Sequence, residues 1–294
     1  MQSPDRSSWI VKLITDFCLT SPANSLNNGE NDRAFDAPIV GFSSGADPTY
    51  EHLKKDIGSF YLTPREWFAD VFPEIAVQSN DLTVISYVLP FSEKAKAGNR
   101  METSAPAETW ARGKYFGELF NNTLRRHLAE TLNAAGFPAV APVLAPVWKG
   151  SVSERYGLAS SWSERHAAYV SGLGTFGLCD GLITTVGKAM RCGSVIAKIS
   201  LAPTARPYSN HHDYCLHFSR GACGQCISRC PVGAITEQGH DKYKCREYLG
   251  KLEAEHISKR FGFSTGACGL CQTGVSCENR IPDKQLQTLA TDAG

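Results

Sequence analysis

Apolar residues first recur at Trp9, Ile10, Leu13, Ile14 and Phe17, a helical spacing that predicts an amphipathic helix at the start of the chain. Residues 21–48, rich in Asn, Ser, Gly and Pro, predict loops around one short apolar run, APIVGF. At Thr63-Pro64-Arg65-Glu66 a helix is expected to begin, with Thr63 as cap, Pro64 at the first position and Glu66 closing a capping box. LTVISYVLP, residues 82–90, predicts a buried strand ended by Pro90. Residues 106–135 carry one long helical pattern through Tyr115, Leu119, Leu124, Leu128 and Leu132, stopped by Gly136. FPAVAPVLAPVW, residues 137–148, is too rich in Pro for a central strand and predicts extended edge structure. Ser161-Trp162-Ser163-Glu164 reads as a second capping box, opening a helix that stops near Gly172. DGLITTVGKAMRCGSVIAKISLA then predicts two strands joined by a turn near Gly187 and Lys188. Mixed helix and strand thus continue to about residue 202, followed by loops, cysteines and short helices. The expected class is α+β, with one domain over residues 1–202 and a second over 203–294.

Hydrophobic residues make up 42% of the 294, enough for a sizeable core. A formal net charge of +1 gives no argument for a nucleic-acid or anionic-membrane partner, and neither partner is expected. The opening residues lack the basic start, apolar run and cleavage site of a signal peptide, and no apolar stretch approaches the roughly 18 residues of a membrane span. A cytoplasmic location with reduced thiols is therefore the expectation.

Cysteine changes the picture. Of 11 cysteines, eight lie between Cys215 and Cys277. The text C223-G-Q-C226-I-S-R-C230-P matches the tail of the two-cluster ferredoxin run C-x2-C-x2-C-x3-C-P, whose fourth cysteine serves the other cluster. Its first ligand would fall at Arg220, which offers no thiolate. The nearest substitute is Cys215, delivered by a bulge in the loop SRGA. The second set is Cys245, Cys268, Cys271 and Cys277. Exchange of the ferredoxin kind assigns Cys215, Cys223, Cys226 and Cys277 to one 4Fe–4S cluster, and Cys230, Cys245, Cys268 and Cys271 to the other. Zinc, which also uses paired CxxC motifs, is the rival metal. Cys18, Cys179 and Cys192 read as small buried hydrophobes or ordinary thiols, with Cys192 the stand-in should Cys215 not be a ligand.

SERHAAYVSGLGTFG, residues 163–177, followed by GLIT, resembles the E-R-x-A-x-x-A-G-L-G-x-x-G segment of epoxyqueuosine reductases, and MRCGSVIAKISL resembles the strand that follows in reductive dehalogenases. The cysteine block, including DKYKCREYL, is similar to the same superfamily, and weaker likeness extends the resemblance over most of residues 80–285. It implies a cobalamin-dependent iron–sulfur reductase: a reduced nitroreductase-like cobalamin-binding domain, then a ferredoxin-like module carrying two 4Fe–4S clusters. Cobalamin joins the clusters as expected cofactor, a small organic molecule is the expected substrate, and ferredoxin or flavodoxin the expected low-potential donor. No acid stands in Tyr156–Ser163, where epoxyqueuosine reductases carry a proton-donating Asp, and the helical-repeat extension often used for transfer RNA is not expected here. Both features argue against the queuosine reaction. An electron carrier or reductive activator for a corrinoid partner, or a cobalamin-processing protein, are the alternatives.

A reductive site needs a proton donor and cationic groups. Tyr87, Tyr115 and Ser160 are the catalytic candidates, set against plain packing and capping roles. Gly172, Leu173, Gly174, Thr175 and Gly177 are candidates to wrap the cofactor, with Arg191 to hold an anion or cofactor side chain. His211 and His212 are assigned a loop role, and Lys94–Arg100 a solvated loop.

Overall fold

The computed structural model describes residues 5–283, so the last residues of the expected 203–294 domain lie outside it. In chain order the helices are α1 (Arg6–Thr20), α2 (Pro48–Ile57), α3 (Pro64–Val71), α4 (Glu93–Met101), α5 (Glu108–Ala134), α6 (Glu164–Val170), α7 (Leu216–Arg220), α8 (Gln225–Ser228), α9 (Lys242–Leu252) and α10 (Ser258–Phe261). The strands are β1 (Ile39–Ser44), β2 (Thr83–Pro90), β3 (Ala139–Val140), β4 (Gly150–Ser153), β5 (Gly157–Ser160), β6 (Gly174–Phe176), β7 (Leu182–Thr184), β8 (Met190–Ala197), β9 (Ile235–Thr236) and β10 (Gly239–His240).

These elements form two compact units, neither of them contiguous. The first comprises Met1–Leu89, Tyr115–Leu173 and Arg191–Pro207; the second comprises Pro90–Lys114, Gly174–Met190 and Tyr208–Gly294. The second unit therefore gathers two earlier stretches around the C-terminal cysteines, which a single boundary near residue 202 does not anticipate.

In the first unit a four-stranded sheet has the order β1-β2-β8-β3, with β1 antiparallel to β2 and β3 antiparallel to β8. β2 is buried along its whole length, and β3 takes the edge, as the Pro-rich text around it requires. Tyr50, Trp67, Phe68, Val84, Trp162 and Ile196 are among the residues of the core against it. Thr63 and Glu66 form the expected capping box on α3. On α5, Phe120, Leu124, Leu128 and Leu132 face inward, whereas Leu119 is 51% exposed and does not belong to the apolar stripe. α6 departs from expectation too. Its cap is Ser163, whose hydroxyl accepts from His166 N, while Ser161 is buried and accepts from Lys149 N at 3.1 Å. Glu164 closes no box, because its carboxylate is drawn into the unit by Arg125.

In the second unit β6 pairs with β7, and β9 with β10. The turn at Gly187 exists, but β7 and β8 are not hairpin partners. β7 returns to β6, and β8 belongs to the four-stranded sheet. Residues 94–100 are helix rather than solvated loop: Ser92 caps α4 through Ala95 N, and Lys96 and Asn99 are buried. Among the described residues no helix is long and apolar enough to cross a membrane.

Candidate functional site

The eight C-terminal cysteines all lie in the second unit. Cys215, Cys223, Cys226 and Cys277 line one cavity, together with Leu178, Ile183, Lys188 and His217. Local structure explains how Cys215 arrives there. The chain after it does not bulge; residues Leu216–Arg220 form α7, ended by Gly221 at φ +64. Gly221 N and Ala222 N close the turn onto His217 O and Leu216 O, so the chain doubles back and brings Cys223 beside Cys215. Arg220, at the position of the absent first ligand, is exposed.

A second neighbourhood holds Cys230, Cys245 and Cys268. Burial pushes the Cys268 thiol up to about 11, and the sulfurs of Cys245 and Cys230 act in the same direction. The Cys230 sulfur accepts from Ala234 N at 3.2 Å. His240 lies 3.1 Å from Asp180 and touches Cys245; burial alone would lower its pKa, but these two partners raise it to about 10.

The loop Cys268-Gly269-Leu270-Cys271 is pinned from α4 and from Arg229. Asn99 donates to Thr273 Oγ1 at 2.9 Å and to Cys268 O at 3.3 Å. Arg229 donates to Leu270 O, Thr273 O, Glu102 O and Asn99 O between 2.8 and 3.2 Å. Gly269 sits at φ +70 directly against the Trp110 indole, which would collide with any Cβ there. Arg229 occupies a spacer position of the C226-I-S-R-C230 run and Asn99 lies in the KAKAGNR stretch read as a solvated loop, so neither was singled out from sequence.

Cys179 is a correction. Read from sequence as an ordinary thiol, it is buried between the two cysteine sets, within hydrogen-bonding reach of Cys226 and Cys271 and 3.3 Å from Lys188 Nζ. Hydrogen bonds from Cys226 and Cys271 hold its thiol well below the ordinary range, with the Lys188 ammonium adding to them against burial. Cys18 and Cys192 are ordinary by contrast: burial pushes each thiol up to about 12, and both lie in the first unit.

In the first unit the centre is a buried polar network. Arg125, 2% exposed, donates to Glu164 at 3.0 Å, Glu118 at 2.9 Å and Cys192 O at 2.8 Å. Ser194 donates to the other Glu164 oxygen and accepts from Trp162 Nε1 at 3.0 Å. Asn121 donates to Cys192 O at 2.9 Å and accepts from Tyr87 OH at 2.9 Å. Burial pushes the Glu164 carboxyl up, against the pull of Arg125.

The candidates for catalysis and cofactor contact take the following places. Tyr87 is fully buried, its ring packed on Gly193. Tyr115 packs edge-on against Phe116 at 5.0 Å. Ser160 Oγ donates to Trp162 O at 2.6 Å. Arg191 lies 3.7 Å from Glu118, and burial lowers its pKa. Gly172, at φ +81, approaches its own chain: a Cβ there would meet Ala205 O at 2.7 Å. Leu173 is buried in the same unit. In the second unit a Cβ on Gly174 would strike Ile183 O, and one on Gly177 would come within 3.2 Å of Ile183 Cδ1. Thr175 is buried and accepts from Tyr214 N at 2.9 Å. His212 bonds Phe176 O at 2.9 Å and stacks on Phe218, a loop role as expected.

No protein-family model matches the chain, and no curated protein matches it by sequence. Solved structures do. A catabolic reductive dehalogenase superposes with a TM-score of 0.55 at 13% identity, covering 96% of this chain and 33% of that one. A reductive dehalogenase described in terms of B12-dependent dehalogenation gives a TM-score of 0.54 at the same identity and coverage. The epoxyqueuosine reductase of Streptococcus thermophilus reaches 0.45 at 16% identity, below the level at which a shared fold follows. An epoxyqueuosine reductase with a modified tRNA stem loop gives a TM-score of 0.45 at 16% identity, covering 85% of this chain and 66% of that one. The chain spans about a third of the length of the dehalogenases it matches, and over that third, 33% of their chain, it has their fold.

Proposed function

We propose that the chain is a cobalamin-dependent iron–sulfur reductase acting on a small organic substrate, with two 4Fe–4S clusters fed by a low-potential donor such as ferredoxin or flavodoxin. The observation that carries this reading is the cavity lined by Cys215, Cys223, Cys226 and Cys277, with Cys230, Cys245 and Cys268 grouped apart from it. Among the described residues no three His, Cys, Asp or Glu side chains converge as for a single ion. A donor set of thiols spread around a cavity suits a cubane, whose thiolates sit on separate iron corners. The supporting contacts fit as well: backbone N–H groups point at Cys230 and Cys268, as hydrogen bonds to cluster sulfurs must. When bound, the clusters supply one-electron transfer at low potential. The protein's own part is to hold the thiolates, exclude water with Leu178, Ile183, Ile235 and Val275, and fix the second loop through Asn99 and Arg229.

Cobalamin enters on the likeness to a structure described as B12-dependent. Gly172, Gly174 and Gly177 do not fit as its cradle, because the space that their missing side chains leave is filled by Ala205 and Ile183 of the chain itself. One observation favours the second reading, an electron carrier for a corrinoid partner. The hydroxyls of Tyr87 and Ser160 are already committed inside the first unit and offer no proton to a substrate.

Anaerobically purified protein is expected to contain about eight iron and about eight acid-labile sulfide per chain. Cys215→Ser is expected to lose one cluster and Cys18→Ser neither. Stoichiometric zinc without sulfide would overturn the reading. Titrating the protein with cobalamin and following the visible spectrum separates the two roles: no shift and no co-elution puts the carrier first.

A further inference from the structure

Lysine is almost never fully buried without a partner of opposite charge. Lys188 is 3% exposed and walled by cysteine: its Nζ lies against the Cys179 sulfur, it lines one cavity with Cys215, Cys223, Cys226 and Cys277, and Cys179 packs in one cluster with Cys226 and Cys271. These cysteines come from both sets and from the unassigned Cys179. The site is built around the side chain rather than merely tolerant of it. Lys188 N donates to Cys277 O at 2.8 Å and to Glu278 O at 3.0 Å, which fixes the root of the side chain. Its stem runs over Gly181, where a Cβ would come within 2.8 Å of Lys188 Cδ. Gly187 lies so close to Glu278 and Asn279 that no side chain fits there, so the turn cannot slide away. The ammonium then ends 3.3 Å from the Cys179 sulfur, which in turn reaches Cys226 and Cys271.

The role of this arrangement rests on the two-cluster reading above. We propose that Lys188 and Cys179 are a positioning pair that sets the reduction potential of both iron–sulfur centres, with the Lys188 ammonium as built-in counter-charge and the Cys179 sulfur as the contact that couples it to Cys226 and Cys271. Thiolates bound to iron cannot donate hydrogen bonds, so once Cys226 and Cys271 are ligands the donor that faces the Cys179 sulfur is Lys188. Reduction by one electron from the external donor adds negative charge to the sulfurs that Lys188 faces. A buried cation favours that state over the oxidised one, because low-dielectric surroundings screen it little. The pair therefore raises the potential and makes reduction by a biological donor easier. It touches sulfur ligands and no substrate.

The test uses the full chain, purified anaerobically and titrated with dithionite in the presence of mediators while the reduced clusters are followed by electron paramagnetic resonance. Lys188→Met is expected to keep the parent's iron and sulfide but to lower the reduction equilibrium constant about tenfold, a shift of about 59 mV for a one-electron couple. Lys188→Arg, which keeps the charge, is expected to restore most of the shift. Cys179→Ala is expected to keep both clusters and to move both midpoints in the same direction as Lys188→Met, by less. An unchanged midpoint in Lys188→Met with full iron overturns the proposal while leaving the two-cluster reading intact. Loss of iron in Lys188→Met overturns it in favour of a role in assembly, and loss of about half the iron in Cys179→Ala overturns it by making Cys179 a ligand. A parent chain free of iron and sulfide defeats the underlying reading itself.

Discussion

In the first unit Arg125 meets the carboxylates of Glu118 and Glu164, the Asn122 amide oxygen and Cys192 O, while Ser194 meets Glu164 and Asn121 meets Cys192 O. In the second unit Lys188 meets sulfur. Both cations are almost fully buried, but they are answered by different chemistry. A guanidinium paired with carboxylates is a finished ion pair whose worth is structural specificity, and removing one partner leaves a stranded charge. An ammonium among thiols that themselves suit iron is matched to a group whose charge changes in use. The contrast teaches which buried charge to read as scaffold and which as chemistry: the nature of the partners decides, not the degree of burial.

The contrast breaks most visibly at the ligands. Cys223→Ala or Cys268→Ala is expected to cut iron from about eight to about four atoms per chain and to lower the yield of soluble protein. Full iron retention in either variant would break the assignment of the second unit as the metal-holding one. Arg125→Met should come next, destabilising the fold by about 3–5 kcal/mol, because the buried Glu164 carboxylate loses its guanidinium. Denaturant unfolding measures this, and a loss of under about 1 kcal/mol would show that the network is not the scaffold described. Gly193→Ala forces a methyl group into the Tyr87 ring and is expected to cost about 1–3 kcal/mol in the same assay. The smallest effect is expected at the α3 cap, where Thr63→Ala removes a capping-box partner at about 1 kcal/mol. Glu66 of the same box has its carboxyl lowered; burial opposes this, but Lys54 and Thr63 outweigh it. Its contribution is therefore present above the ordinary glutamate pKa and lost as pH falls through the depressed one, so Thr63→Ala should flatten stability against acid.

Local signals carried far into this fold. The Thr63 box, the stop at Gly136 and the burial of Thr83–Pro90 all follow from rules that span a few residues. So do the C-x2-C pairs, because ligand spacing is itself local. What escaped was non-local. Cys179 stands 36 or more positions before the nearest C-terminal cysteine, Cys215, and only the β6–β7 pairing carries it to them, so no spacing rule could flag it. Ser161 and Ser163 offered two caps within one motif, and the choice fell to the chain at Lys149, which takes Ser161. Lys94–Arg100 looked solvated by composition, yet Asn99 finds its partners at Cys268 and Thr273, some 170 positions away. The strands after Asp180 were legible as strands but not as members of separate sheets, since pairing partners leave no mark in either strand's own text.

Trp110 packs against Gly269 in the turn between Cys268 and Cys271, and it is the one tryptophan in the stretches Pro90–Lys114, Gly174–Met190 and Tyr208–Gly294. Tryptophan emission is quenched by energy transfer to nearby absorbing metal groups. The indole at this turn is thus a native optical probe. Comparing emission from the parent and a Trp110→Phe chain isolates its signal, and the recovery of that signal as iron is chelated reports the filling of the second cysteine set in real time.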